Sequence, residues 1–193
     1  MIFGNKNIYA IEVYHQPQDN DYFYMCGRMC IYLYNKAFGD INDELCHLFG
    51  VYDMLRSKIE NLTELKHDFD LNNDFDIFNF LDDKLYIGSI ENKTYEQIIK
   101  DNKPYYKFDF FTNTGEMFDR TKSFIYMDKN KKIHILFQIC KYNENTKTFE
   151  DDEIICNELD KRIFEDVTND FIKWYEKTEE KKRKNNGIRR NFV

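Results

Sequence analysis

Alternating apolar and polar positions predict strands near the start of the chain. The alternation in residues 8–15 puts Tyr9 and Val13 on one face, and a second alternating run covers residues 22–34. The turn-forming stretch "QPQDND" separates the two runs, and "YNKAFGD" indicates a tight reversal into a short third strand. Such short links favour antiparallel pairing. The chain therefore opens as an antiparallel meander.

A second group of strands is predicted in the last third of the chain. Residues 122–128 and 133–141 alternate in the same way, and "DKNKK" between them is typical of a hairpin loop. The apolar stretch "EIIC" at 153–156 adds a further candidate strand. These runs predict a second antiparallel group.

Two long segments have the spacing of amphipathic helices. From Asn42 onward, apolar residues recur at intervals of three and four, and Asp40 or Asn42 is the candidate N-cap. A similar apolar face predicts a helix from about Asp160 to Lys181.

The middle of the chain mixes acidic and aromatic residues and has no single period. We expect a loop, a short helix near 75–83 and a strand at 84–87. The stretch "TYEQIIKDN" predicts a brief helix with Thr94 as its cap, ended by Pro104.

The order of these elements indicates the fold class α+β, with a largely antiparallel sheet packed with two main amphipathic helices. We predict a single domain over residues 1–180, because no linker divides the chain and 193 residues suit one core. The basic segment 181–193 is predicted to be a flexible tail, since it has little apolar material to dock it.

Charge is unevenly distributed along the chain. The tail holds six of the 28 basic side chains and no acid, so residues 1–180 carry 22 basic and 35 acidic side chains, a net charge of −13. Such a field repels nucleic acid and anionic membranes and steers basic partners toward the surface. We therefore expect a protein partner, with no nucleic acid and no membrane; the sequence sets no oligomeric state.

The cysteines and the N-terminus predict a cytoplasmic protein. The five cysteines are odd in number and form no CxxC pair, which fits reduced thiols better than a disulfide framework. Residues 1–15 have no basic leader followed by an apolar run, and no stretch approaches the length of a membrane span.

Motifs that carry catalytic chemistry do not occur in the sequence. The four histidines are scattered without HExxH, and no GxSxG or GxxxxGK is present. The stretch "DFDLNNDFD" begins like a calcium loop, but Asn73 stands where glycine is needed and Asn79 where a bidentate glutamate is needed. We expect no metal and no cofactor. The alternative is a small cytosolic enzyme with a nonlocal carboxylate/histidine site.

The strongest surface signal is an acidic and aromatic segment. Acids steer a partner and aromatic rings anchor it. The other interpretation is a loop whose rings fill the core while its acids face water. The residues of the candidate binding surface are Asp68, Asp70, Asp74, Asp76, Asp82, Asp83 and Tyr86, with Phe69, Phe75, Phe78 and Phe80 between the acids.

Four motifs resemble one family. They are "MIFGNKNIYAIEVY", "GRMCIYLYNKAFGD", "GEMFD" before a hairpin, and a closing helix of the type "IFEDVTNDFIKWYE". Together they resemble the immunity proteins of bacterial polymorphic toxin systems, grouped as immunity protein family 42. The resemblance covers most of the chain and is weakest over residues 60–104. Here Asn35 and Lys36 stand at the turn of the second hairpin, where family members have a tighter Asn-Gly turn.

The resemblance implies a protein that binds and neutralises a cognate toxin and has no turnover. The motif "GEMFD" is then architectural: Gly115 reverses the chain, Phe118 fills the core, and Glu116 and Asp119 accept hydrogen bonds from backbone N–H groups. An adaptor domain whose basic tail binds RNA is the remaining alternative.

Overall fold

The computed structural model of the protein describes residues 1–16, 25–42, 45–66, 71, 73–87, 93–112, 114, 116–143, 146–151 and 153–185. The strands in this part of the chain are β1 (Ile2–Asn5), β2 (Tyr9–His15), β3 (Cys26–Leu33), β4 (Lys36–Phe38), β5 (Cys46–His47), β6 (Thr121–Met127), β7 (Lys132–Asn143), β8 (Thr148–Asp151) and β9 (Ile155–Asp160). The α-helices are α1 (Leu48–Glu60), α2 (Asp74–Asp82), α3 (Tyr95–Asn102) and α4 (Lys161–Asn185).

Two compact units make up the chain. The first contains Met1–Glu60, Thr114–Met117 and Arg162–Val193, and the second contains Asn61–Asn113 and Phe118–Lys161. Each unit has its own antiparallel sheet and its own helices. The fold class α+β is confirmed. Whether residues 1–180 unfold as the single domain that the sequence predicts stays a prediction.

The first unit contains the predicted meander. Its sheet has the order β1-β2-β3-β4, and β5 pairs with the first half of β3, on the edge that β4 uses further along. Leu33 pairs with Lys36, so the turn residues are Tyr34 (φ +47°) and Asn35 (φ +65°). A two-residue hairpin turn with positive φ at both positions has a backbone twist that matches the twist of the flanking strands. The predicted turn at Asn35 and Lys36 was wrong by one residue.

Helix α4 covers this sheet. Tyr9 is fully buried, with its ring centroid 5.5 Å from that of Phe164 and its hydroxyl 3.2 Å from Thr168 Oγ1. Helix α1 joins the same core, where Tyr52 stacks on Tyr175 with centroids 4.3 Å apart. The apolar stripe predicted for residues 160–181 is confirmed, and the helix continues to Asn185. Residues 186–193 lie outside the described part of the chain, so the flexible tail stays a prediction.

The start of α1 differs from the prediction. The helix begins at Leu48 rather than near Asn42, because Cys46 and His47 pair with β3 instead. The amide of Leu48 donates to the carbonyl of Met25 at 2.8 Å, which continues this ladder. The predicted caps are also wrong, since the side chain of Asp40 accepts from the amide of Asn42 in a local turn.

In the second unit, β7 is the central strand. It pairs with β6 along one edge, and with β9 and then β8 along the other. The hairpin 128–132 is confirmed, and the strand predicted at 153–156 begins two residues later as β9. The strand predicted at 84–87 was wrong: Asp83–Ile87 is a π-helical turn that extends α2, with the amide of Asp83 donating to the carbonyls of Asn79 and Phe80.

The elements outside these sheets agree in part with the predictions made from the sequence. Helix α3 is capped by Thr94, whose hydroxyl accepts from the amide of Gln97, as predicted. In "GEMFD", Gly115 lies outside the described residues and Glu116–Phe118 forms a 3-10 turn. Phe118 is fully buried and stacks on Phe111, while Asp119 is exposed. None of the helices in the described ranges is long and apolar enough to cross a membrane.

An acidic helix as the candidate binding surface

Local side chains begin α2 at an acidic turn. The carbonyl oxygen of the Asn73 side chain accepts from the amide of Asp76 at 2.9 Å, and its amide group donates back to the carboxylate of Asp76 at 2.9 Å. The first of these bonds satisfies one backbone donor that a helix start leaves open, and the second holds the Asn73 side chain in place. Asp74 and Asp76, in the first turn, also interact favourably with the positive end of the helix dipole. The acids are therefore part of what makes this segment helical.

The inward face of α2 fills the core of the second unit. Ile77, Phe78 and Leu81 are buried at 3%, 1% and 0% exposure. The ring of Phe78 meets that of Phe124 edge to face, with centroids 5.1 Å apart and planes at 67°. Leu136 on β7 belongs to the same cluster. This stripe repeats every three to four residues and sets which face of α2 points to the sheet.

Two acids lie on the same inward stripe, one at each end of α2. Asp74 accepts a hydrogen bond from the hydroxyl of Tyr126. Asp82 is 6% exposed and lies 3.0 Å from Nζ of Lys122. The eight residues from Asp74 to Asp82 rise about 12 Å, and the four residues from Lys122 to Tyr126 span about 13 Å of strand. The helix therefore lies antiparallel to β6, with a polar clamp at each end.

The clamp at Asp74 includes a histidine. Nδ1 of His134 is 3.1 Å from Asp74, and Nε2 is 3.7 Å from Asp128. The imidazole stacks on Tyr126 with centroids 4.4 Å apart and planes at 9°. We call His134, Asp74, Asp128 and Tyr126 the His134 cluster. Tyr126 and His134 are cross-strand partners, which explains the stacking.

Burial and charge act on the His134 cluster in opposite senses. Burial opposes the charged imidazole, but the hydrogen bond to Asp74 and the negative charges of Asp74, Asp128 and Glu158 outweigh it, so the pKa of His134 lies above its ordinary value. Burial, followed by the hydrogen bond to Asp74, raises the pKa of Tyr126. Tyr126 therefore stays a neutral donor, and the acids of the cluster favour the charged form of the imidazole.

The outward side of α2 and the π-helical turn carries a different set of residues, which we call the outer face: Phe75, Asp76, Asn79, Asp83 and Tyr86. Phe75 is 55% exposed and Tyr86 is 39% exposed. Asp76, Asn79 and Asp83 are also exposed. The hydroxyl of Tyr86 donates to Asp109 at 2.8 Å. Burial, and then the charge of Asp109, raise the pKa of Tyr86 and keep it protonated.

The structure divides the candidate residues of the sequence into three groups. Asp76, Asp83 and Tyr86 lie together on the outer face. Asp74 and Asp82 point inward and hold the helix. Asp68 and Asp70 lie outside the described residues.

Sequence reasoning left out Asn73, Lys122 and His134. The signal for the inward acids was present in the sequence, since Asp74 and Asp82 share the period of Ile77, Phe78 and Leu81. Within the described ranges, no three histidine, cysteine or acidic side chains converge as a metal site requires.

Comparison with known proteins identifies the family. The family described as Immunity protein 42 matches residues 1–174. No curated protein and no solved structure matches the chain. The match includes both sheets, α2 with its outer face, and most of α4, and it confirms the resemblance seen in the four motifs. The chain therefore belongs to the immunity protein 42 family.

Proposed function

We propose that the protein binds and neutralises a cognate toxin through the outer face, by occupying the toxin rather than by catalysis. Family membership supports a toxin-neutralising role in general. The observation that carries the choice of surface is Phe75, a large apolar side chain that is 55% exposed directly beside Asp76. An exposed aromatic ring next to an exposed acid has the composition of an anchor residue with a charged rim.

The charge of the outer face indicates the chemistry of the partner. Asp76 and Asp83 are exposed, and the chain as a whole carries a net charge of −7. An acidic surface speeds the encounter with a basic one, to about 10⁸–10⁹ M⁻¹s⁻¹ at low salt. The toxin surface that fits is therefore basic, with an apolar pocket for Phe75. This protein would neutralise the toxin by covering the toxin's working site.

The way α2 is held supports a preformed surface. Both ends of the helix bind the sheet through side chains, at Asp74 and at Asp82. Phe78 and Leu81 anchor the helix between these ends. A surface that is ordered before binding loses less conformational entropy when the toxin arrives. The inward acids thus serve binding by positioning the outward ones.

The proposal also includes the cellular compartment in which the protein acts and the class of its partner. We infer that it acts in the cytoplasm of the cell that makes the toxin, with no nucleic acid or membrane as partner. The odd number of cysteines and the absence of a CxxC pair support a reducing compartment. The acidic body supports a protein partner over an anionic one.

The first experiment is co-expression with the product of the gene immediately upstream, scored by survival of the host and by recovery of a complex through a tag. We expect silencing of the toxin by one molar equivalent of this protein in a purified assay. Full silencing by a small fraction of an equivalent would show turnover and refute the binding mechanism. A harmless neighbour with no complex would overturn the function.

The surface is tested by charge reversal. The variant Asp76→Lys with Asp83→Lys should bind the toxin at least about tenfold more slowly at low salt, with a smaller difference at high salt. Phe75→Ala should mainly speed dissociation. The control is Asp53→Lys on α1, which is also an exposed helical acid. Equal binding by the control and the double variant would rule out the outer face.

A further inference from the structure

His134 is surrounded by titratable groups from every neighbouring element. Asp74 faces it from α2, Asp128 from the hairpin loop and Tyr126 from β6. Glu158 on β9 is its cross-strand partner, and Cys156 lies on the same strand. Lys132 lies 4.0 Å from Glu158 and offsets part of its charge. Around the imidazole, acids therefore outnumber bases.

The geometry favours the doubly protonated, charged form of the His134 ring. Nδ1 faces the carboxylate of Asp74 and Nε2 faces that of Asp128. A neutral imidazole has one N–H and one lone pair, so one nitrogen would point a lone pair at a carboxylate. The imidazolium donates from Nδ1 to Asp74, and its charge attracts the carboxylate of Asp128, which lies 3.7 Å from Nε2 and is too far for a hydrogen bond. It is the form that holds Asp74 and the hairpin loop together.

We propose that protonation of His134 clamps the first turn of α2 against the β6–β7 hairpin and so controls how well ordered the outer face is for toxin binding. This regulation rests on the proposed function of the outer face. The clamp at the other end, Asp82 with Lys122, contains no histidine. Deprotonation therefore loosens the N-terminal turn, with Phe75 and Asp76, while the last turn stays held.

The direction of the pH effect follows from the raised pKa of His134. A group whose pKa is higher in the folded protein adds stability that is fully present below the unfolded value of about 6.5. That stability is lost as pH rises through the folded value. The outer face is thus best ordered below about pH 6.5 and loosens as pH rises through the raised pKa of His134.

The test uses the full chain without toxin. Hydrogen exchange of α2 amides, corrected for intrinsic pH dependence, is measured between about pH 6 and pH 9, and the ring proton of His134 is titrated by NMR. We expect protection of the Asp76 and Ile77 amides, which donate to Asn73, to fall several-fold at the His134 midpoint, with little change near Asp82. Protection that does not follow the midpoint would overturn the clamp.

Variants separate the clamp from general destabilisation. His134→Gln should abolish the pH response, and the control His47→Gln, at an exposed position in β5, should keep it. If His134→Gln fails to fold, Asp128→Asn serves instead and should move the midpoint to lower pH. A pH response that persists in His134→Gln, or a midpoint unmoved in Asp128→Asn, would contradict the proposal.

Toxin affinity distinguishes this proposal from the proposed function. If affinity falls with pH in parallel with protection, the regulation of binding is supported. If protection follows pH but affinity does not, the regulation of binding is overturned. If Asp76→Lys with Asp83→Lys abolishes binding while protection ignores pH, the binding surface stands and the clamp is wrong.

Discussion

Replacing Phe78 by alanine tests the orientation of α2, on which the assignment of the outer face depends. Phe78 is 1% exposed and packs edge to face on Phe124. Truncation of a buried phenylalanine costs about 3–5 kcal/mol, of which the ring pair contributes about 0.5–1.5 kcal/mol. Since a domain is stable by about 5–15 kcal/mol, Phe78→Ala should remove a large share of the stability.

The matched control is Phe75→Ala, three residues earlier on the same helix. Phe75 is 55% exposed, so its truncation should change stability by no more than about 0.5 kcal/mol. Both variants make the same chemical change in one helix, and helix propensity cancels in the comparison. The difference between them measures the burial of Phe78 together with its ring contact to Phe124.

Urea unfolding followed by two probes gives the assay. With a slope of about 1–3 kcal/mol per molar, Phe78→Ala should lower the midpoint by about 1 M or more. Similar costs for the two variants would refute the orientation of α2.

Trp174 is the sole tryptophan and lies in the first unit, whereas far-UV circular dichroism reports on both units. Coincident shifts would support one cooperative domain over residues 1–180, and an unmoved fluorescence midpoint would make that prediction wrong.

Two further predictions concern backbone space and the second clamp. Gly4 has φ +86°, and a Cβ there would lie 2.4 Å from the carbonyl oxygen of Tyr9, so Gly4→Ala should cost about 2 kcal/mol or more; Gly50→Ala, in the open first turn of α1, should instead stabilise by about 0.5–1 kcal/mol. Equal effects in thermal unfolding would contradict this. Lys122→Met should cost about 1–3 kcal/mol, because it leaves Asp82 buried and unpaired. Adding Asp82→Leu should recover most of that loss, and a cost below about 0.5 kcal/mol for Lys122→Met alone would show that the pair does not hold α2.

Local periodicity correctly predicted the elements whose tertiary contacts require the same secondary structure as the local pattern. Strands β2, β3, β6 and β7 follow the alternation of apolar residues, and α4 follows the helical spacing. The errors occur where backbone hydrogen-bond partners that the local pattern does not reveal decide the structure. Residues 46 and 47 have helical spacing but are strand, because β3 offers them backbone partners. Residues 83–87 continue a helix, which begins where the amide of Asp83 donates to the carbonyls of Asn79 and Phe80 at the end of α2.

The acidic segment shows the same division at the level of single side chains. The sequence by itself determined that residues 74–83 are rich in acids and aromatic rings, that this segment forms a short helix, and that the chain resembles immunity proteins. Helical spacing in the sequence puts Asp74 and Asp82 on the apolar face, and only the tertiary structure decided which side chains pair with them. Asp82 meets Lys122, 40 residues along the chain, and Asp74 meets Tyr126 and His134 at separations of 52 and 60. Helical periodicity selects a face, but the sheet on which that face packs determines whether an aspartate there stays a free charge or becomes a paired one.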